Sequence, residues 1–166
     1  MAHHLILGGA RSGKSSYAEQ CALRLSKTPV YIATATAGDK EMQARIDKHQ
    51  ADRSDAWLVI EEPIQLAKTI SQLNQDRIII VDCLTLWLSN CLHAGNWQAQ
   101  RNDFIEQIES RQHDLFLVSN EVGMGIVPMG ELSRKFVDEA GWLHQTLARH
   151  CHQVTHVIAG LPQKLK

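Results

Sequence analysis

Eight residues near the N-terminus constrain this chain more tightly than any other segment. Gly8-Gly9-Ala10-Arg11-Ser12-Gly13-Lys14-Ser15 satisfies the pattern G-x-x-x-x-G-K-[ST]. Average composition yields that pattern in only about one of a few hundred chains of this length. The apolar run Leu5-Ile6-Leu7 leads into it and a helical pattern begins at Lys14, so the order is strand, glycine-rich loop, helix. Glycines permit positive φ, and a loop wound that way turns its N–H groups inward around an anion. The helix start adds positive potential. Lys14 is placed to neutralise the outer phosphates of a nucleotide, and the Ser15 hydroxyl to ligate Mg2+.

Such a site also needs a carboxylate near the metal, usually at the end of a buried strand. Asp82 follows Arg77-Ile78-Ile79-Ile80-Val81 and fits that description. The metal-linked role is the favoured reading; capping of a helix starting near Leu84 is the structural alternative.

The 166 residues suit one domain spanning 1–166 and leave no room for two catalytic units. A 44% hydrophobic and 21% charged composition is that of a globular protein. Seventeen Lys/Arg against eighteen Asp/Glu give a net charge of −1, which argues against bulk electrostatic binding of nucleic acid or an anionic membrane. Cys21, Cys83, Cys91 and Cys151 are scattered and form no CxxC pair, so we expect free thiols rather than a metal site or a disulfide framework. There is no signal-peptide layout and no apolar run near the roughly 20 residues needed to span a bilayer. The expectation is a cytoplasmic protein without stable membrane insertion.

Short β-rich runs alternate with helical stretches. The expected strands are Leu5–Leu7, Val30–Ala33, Trp57–Ile60, Ile78–Val81, Leu115–Ser119 and Val154–Ala159. The expected helices are Ser15–Ser26, Glu41–Gln50, Ile64–Leu73, Leu84–Leu92, Asp103–Arg111 and Glu131–His150. In the last, Leu132, Phe136, Ala140, Leu143 and Leu147 fall on one face. Ile78-Ile79-Ile80-Val81 is apolar at every position, as a strand covered on both sides requires. The pattern predicts an α/β fold, a mostly parallel sheet with helices on both faces.

A second cluster lies in Asp39–Arg53, where Arg45, His49 and Arg53 recur at i, i+4 and i+8 and so share one side of a helix. Flanking guanidinium groups disfavour protonation of an imidazole. A neutral His49 there suits a nucleophile, with both arginines able to hold phosphate oxygens. A solvated helix face with a spectator histidine satisfies the same spacing. His150, His152 and His156 gather near the C-terminus without carboxylate partners in the sequence and make a weaker metal candidate.

Several blocks together resemble a known family. They are GGARSGKS at 8–15, Tyr31-Ile32-Ala33-Thr34, and Arg45-Ile46-x-x-His49-x-x-x-Arg53-x-x-x-Trp57-x-x-x-Glu61-Glu62-Pro63. Later come Ser119-Asn120-Glu121-Val122-Gly123-Met124-Gly125-Ile126-Val127-Pro128 and Arg134-x-Phe136-x-Asp138-x-x-Gly141. The chain resembles the bifunctional adenosylcobinamide kinase/adenosylcobinamide-phosphate guanylyltransferases of cobalamin synthesis over nearly its whole length. The RIxxHxxxR and NEVGMGIVP blocks make the match specific, because the phosphate loop alone is shared by many kinases.

The resemblance implies a single P-loop NTPase domain of RecA-like type that performs two reactions. ATP or GTP would phosphorylate the aminopropanol hydroxyl of adenosylcobinamide. GTP would then pass GMP to that phosphate through a covalent histidine, matching His49, releasing pyrophosphate and giving adenosylcobinamide-GDP. Family nucleotide contacts carry onto Gly8, Gly9, Ala10, Arg11, Ser12, Gly13, Lys14 and Ser15, onto Thr34, Ala35 and Thr36, onto Gln50, Ala51, Asp52 and Arg53, and onto Glu61 and Asp82. Family members form homo-oligomers, of which a trimer is the expectation. This sequence departs from many relatives at Val59, where Thr is common, at Asp82, where some carry Glu, and at His144, where Asn is frequent. Asn120–Pro128 reads either as a mobile loop over a substrate or as a glycine-hinged turn.

Two other functions compete. A single-function P-loop kinase would leave His49 inert. A regulatory NTP-binding module would switch a partner surface and would need no nucleophile beside its phosphates, which the Arg45/His49/Arg53 face disfavours.

Overall fold

The computed structural model describes residues 3–26, 28–35, 57–112 and 114–166. Seven strands form one sheet: β1 (His4–Gly8), β2 (Val30–Ala33), β3 (Leu58–Glu61), β4 (Ile79–Asp82), β5 (Leu115–Asn120), β6 (Gln153–Ile158) and β7 (Leu161–Lys164). Their order across the sheet is β3-β2-β4-β5-β1-β6-β7. All neighbours are parallel except β6 and β7, which pair antiparallel. The described helices are α1 (Lys14–Leu25), α2 (Leu66–Gln72), α3 (Leu84–His93), α4 (Trp97–Ser110) and α5 (Glu131–His150).

The continuous apolar strands divide their side chains between two cores. Ile79 and Val81 point with Val30 and Ile32 into a large cluster built with α2–α5, while Ile78 and Ile80 join Tyr31 and Ala33 on the face that packs α1. Burial on both sides explains the absence of alternation along β4. The mostly parallel α/β sheet carries helices on both faces, with one of the described helices on the α1 side.

Two elements differ from expectation. Helix α4 begins at Trp97 rather than Asp103. The Trp97 ring is buried against Trp87 at a centroid separation of 5.2 Å, and its Nε1 donates to the buried Glu139 carboxylate at 2.7 Å. Those contacts recruit a polar first turn whose sequence shows no apolar period. The closing strand β7 was not expected, since Leu161–Lys164 is exposed throughout. Its backbone pairing with β6 defines it (Thr155 opposite Lys164, Ile158 opposite Leu161). In α5, Ala140, Leu143 and Leu147 are buried as the period requires, whereas Leu132 in the first turn is 53% exposed.

The expected helix Glu41–Gln50 lies outside the described residues. All four cysteines are free, and Cys83, Cys91 and Cys151 are buried. Burial pushes the Cys91 and Cys151 thiols up to about 12, so they pack as neutral groups. No described helix is long and apolar enough to cross a membrane.

Candidate nucleotide site

The C-terminal ends of the parallel strands form the edge where ligands bind in open α/β sheets. Gly8 ends β1 opposite Asn120 of β5 and Val157 of β6. The loop from Gly9 to Gly13 then climbs over that edge into α1. Arg11 at φ 54° and Gly13 at φ 93° give the loop its left-handed turns, which direct successive amides to one side. No side chain caps α1, so its first amides remain available to an anion.

Lys14 is buried, and its Nζ donates to the Gly9 carbonyl at 3.0 Å. The ammonium thus lies folded over the loop rather than extended into water. The Ser12 hydroxyl is buried and has no hydrogen-bond partner. Space at the base of the loop is fully used: a Cβ on Gly8 would meet Ser12 Oγ at 2.4 Å and the Val157 carbonyl at 2.7 Å.

The loop is fastened from a distant part of the chain. Gly160, at φ 78° in the β6–β7 turn, donates its amide to the Ser12 carbonyl at 2.8 Å. A Cβ on Gly13 would stand 3.2 Å from Gly160 Cα. Sequence reasoning missed this buttress. Ala159-Gly160 is a recognisable turn signal, but nothing local says what it touches.

Asp82 ends β4, two strands from β1 and therefore roughly 10 Å across the sheet from the phosphate loop. Its Oδ2 accepts the Tyr31 hydroxyl at 2.6 Å. It does not cap α3, whose N-cap is Cys83 without a side-chain cap bond. Beside it Thr34 locks the strand ends: its hydroxyl donates to the Cys83 carbonyl at 2.7 Å and accepts the Cys83 amide at 2.8 Å. Burial, then the Asp82 charge, push the Cys83 thiol up, so it is neutral beside that carboxylate. Ala35 follows Thr34 at the same edge.

The paired acids after β3 separate clearly. Glu62 Oε1 accepts the amides of Ile64 at 2.9 Å and Gln65 at 2.7 Å, and its Oε2 accepts the Thr69 hydroxyl. It braces the turn that leads into α2 and ties that turn to Thr69 within the helix. Glu61 is exposed at the strand end, in register with Ala33 and, through it, with Asp82. Thr36, Arg45, His49, Gln50, Ala51, Asp52 and Arg53 lie outside the described residues.

Past β5 a polar chain ties the edge together. Asn120 Nδ2 donates to Thr85 Oγ1 at 3.0 Å, and Thr85 Oγ1 lies 3.1 Å from Cys83 Sγ. One residue earlier, buried Ser119 Oγ meets His144 Nε2 at 2.8 Å. Burial lowers the His144 pKa against the opposing pull of Glu121, so the imidazole is neutral. The segment 121–130 is held at both ends. Glu121 donates its amide to the Gly8 carbonyl at 3.0 Å, and the Arg134 guanidinium donates to the Pro128 and Met129 carbonyls. Among the described residues no group of three or more His, Cys, Asp or Glu gathers as a metal cluster. His150 instead lies 3.5 Å from Glu109.

The sequence profile of the family described as cobinamide kinase / cobinamide phosphate guanyltransferase matches residues 4–165. The chain belongs to that family. It is 51% identical over 166 residues to the "Bifunctional adenosylcobalamin biosynthesis protein CobP" of Pseudomonas aeruginosa, covering 98% of this chain and 96% of that one. It is 35% identical over 179 residues to the corresponding CobU protein of Escherichia coli K12, covering 98% of each. A solved structure from Pyrococcus horikoshii OT3 aligns over 99% of this chain and 86% of its own length, with a TM-score of 0.53 at 10% identity. That likeness speaks to the fold alone. As a cobinamide kinase/guanyltransferase family enzyme, the chain carries its phosphate loop on an α/β P-loop sheet.

Proposed function

We propose that one nucleotide site on a single domain, 1–166, carries out both reactions named by the family. ATP or GTP phosphorylates adenosylcobinamide, and GTP then guanylylates the product through His49 to give adenosylcobinamide-GDP and pyrophosphate. The observation that carries this reading is the phosphate loop itself: uncapped α1, buried Lys14 turned over Gly9, and an unpartnered Ser12 hydroxyl, in a chain of this family.

In this reading the amides of Gly8–Ser15 and the Lys14 ammonium hold the phosphates. Glu61, rather than the committed Glu62, accepts from guanine N–H groups or a ribose hydroxyl, and Thr34, Ala35 and Thr36 line the path between. Gln50, Ala51, Asp52 and Arg53 contact the nucleotide beside His49. Ser15 and Asp82 suit Mg2+: a half-buried hydroxyl opens α1, and Tyr31 fixes one carboxylate oxygen while leaving the other. Hydroxyl, carboxylate, phosphate and water oxygens are the donors a hard octahedral cation takes. Bound there, the ion would withdraw charge from the phosphate oxygens.

For guanylylation, the neutral imidazole of His49 attacks the α-phosphorus in line, an N–P bond forms, and the bond to pyrophosphate breaks while Lys14 and the loop amides hold the leaving group. The phosphate of the corrinoid then displaces His49. Transfer in two stages lets a small site meet two bulky substrates in turn. We place the enzyme in the cytoplasm as a homo-oligomer, most simply a trimer.

The test is incubation with α-labelled GTP and Mg2+ in the absence of corrinoid. The expected result is an acid-labile, alkali-stable protein label that disappears in His49→Ala. Label persisting in that variant removes His49 as the nucleophile. No label on the wild type favours a kinase-only enzyme.

A further inference from the structure

Phosphorylation of an alcohol needs a group to take the hydroxyl proton, and the described residues narrow the choice. Four carboxylates stand at or just beyond the C-terminal ends of the parallel strands: Glu61, Glu62, Asp82 and Glu121. Glu62 is consumed by the Ile64 and Gln65 amides and the Thr69 hydroxyl. Glu61 is on β3, four strands from β1 and so roughly 19 Å from the phosphate loop. Asp82 is two strands away and holds the Tyr31 hydroxyl. Glu121 follows β5, the strand beside β1, and its amide bonds to the first glycine of the loop. Of these four strand-end acids, it follows the strand closest to β1 and is the one whose backbone bonds to the phosphate loop.

The surroundings of Glu121 also suit a large acceptor. Its Oε1 accepts the Gly123 amide, which fixes the side chain against its own loop, and its charge is felt by the buried His144 imidazole. Directly beyond, Met124, Ile126, Val127 and Met129 project into solvent, with Ile126 98% exposed, on a segment whose ends are tied down. An acceptor with a broad apolar body lying over these side chains would present its hydroxyl beside Glu121.

We propose that Glu121 is the catalytic base of the kinase step, taking the proton of the acceptor hydroxyl. This rests on the two-reaction reading above. The acceptor oxygen attacks the γ-phosphorus while its proton passes to the Glu121 carboxylate. The new O–P bond forms, the bridging P–O bond breaks, and its electron pair leaves with the nucleoside diphosphate held by Lys14. The protonated carboxyl then returns its proton to solvent.

Glu121→Gln separates this role from a structural one, because the amide oxygen of Gln still accepts the Gly123 N–H. The variant is expected to lose at least about 100-fold in kcat for adenosylcobinamide phosphorylation. KM for the corrinoid, the Kd of a fluorescent GTP analogue and the melting temperature should each stay within about threefold, or a few degrees, of wild type. Glu121→Asp, which keeps the base and shortens its reach, should fall between the two. A kcat within threefold of wild type in either variant overturns the proposal. A loss that appears only in KM, or only together with lost nucleotide binding, overturns it as well. If the wild type phosphorylates no corrinoid, the functional reading fails instead.

Discussion

The amide of Gly160 is hydrogen-bonded to the carbonyl of Ser12 at 2.8 Å, so the turn before the last strand fastens the middle of the phosphate loop. The two residues are far apart in the chain, and neither the loop nor the turn reveals the contact alone. Together with the Gly8 contacts, it makes the loop a pre-shaped cradle whose tolerance for added atoms is small.

Gly8→Ala is the sharpest test of that tightness. Its Cβ would stand 2.7 Å from the Val157 carbonyl, a backbone atom with no freedom to turn away. We expect a destabilisation of about 2 kcal/mol, roughly 4–8 °C in melting temperature, with at least tenfold weaker nucleotide binding. Wild-type melting and affinity in this variant would show that the loop is looser than its contacts indicate.

Lys14→Ala tests whether one site serves both reactions. Its Nζ is positioned over the Gly9 carbonyl within the loop. Removing it should abolish corrinoid phosphorylation and the covalent label from α-labelled GTP together. Retention of either activity would require a second nucleotide site.

The adjacent acids should part cleanly under substitution. Glu62→Ala removes the acceptor of the Ile64 and Gln65 amides and should cost about 1 kcal/mol of stability, read by denaturant melts. Glu61→Gln should leave stability unchanged and weaken GTP binding several-fold, measured by direct titration. The reverse assignment would move the nucleotide contact to Glu62.

Acid sensitivity should trace in part to His4. Burial lowers its pKa to about 4, and its Nε2 pairs with Thr155 Oγ1 at 2.8 Å. The unfolded chain therefore binds the proton first as pH falls below about 6.5. Stability from the neutral imidazole is complete above that value and is lost between about 6.5 and 4. Buried His3 and His144, also lowered, act in the same direction. Thermal melts from pH 7 to 5 should fall less steeply for His4→Gln than for the wild type. Equal slopes would remove His4 from the acid response.

Much of the fold could be read directly because its signals are periodic or local. Val30–Ala33 and Glu131–His150 have the bounds expected, one from an unbroken apolar run and the other from a long 3.6-residue period. The start of α4 could not be read, because Trp97 earns its place through Trp87 and Glu139 on other helices. Strand β7 was invisible for the opposite reason: its side chains are exposed, and only backbone pairing with β6 makes it a strand.

For the site, the sequence alone determined the phosphate loop, the strand-end position of Asp82 and the family. Each is carried by residues within one short segment or by their fixed order along the chain. Tertiary structure decided which of Glu61 and Glu62 is committed to the turn before α2, that Tyr31 rather than α3 engages Asp82, and that Gly160 and Glu121 both bond to the phosphate-loop backbone. Those facts depend on hydrogen bonds between segments brought together by the sheet, and such bonds leave no periodic trace in a sequence.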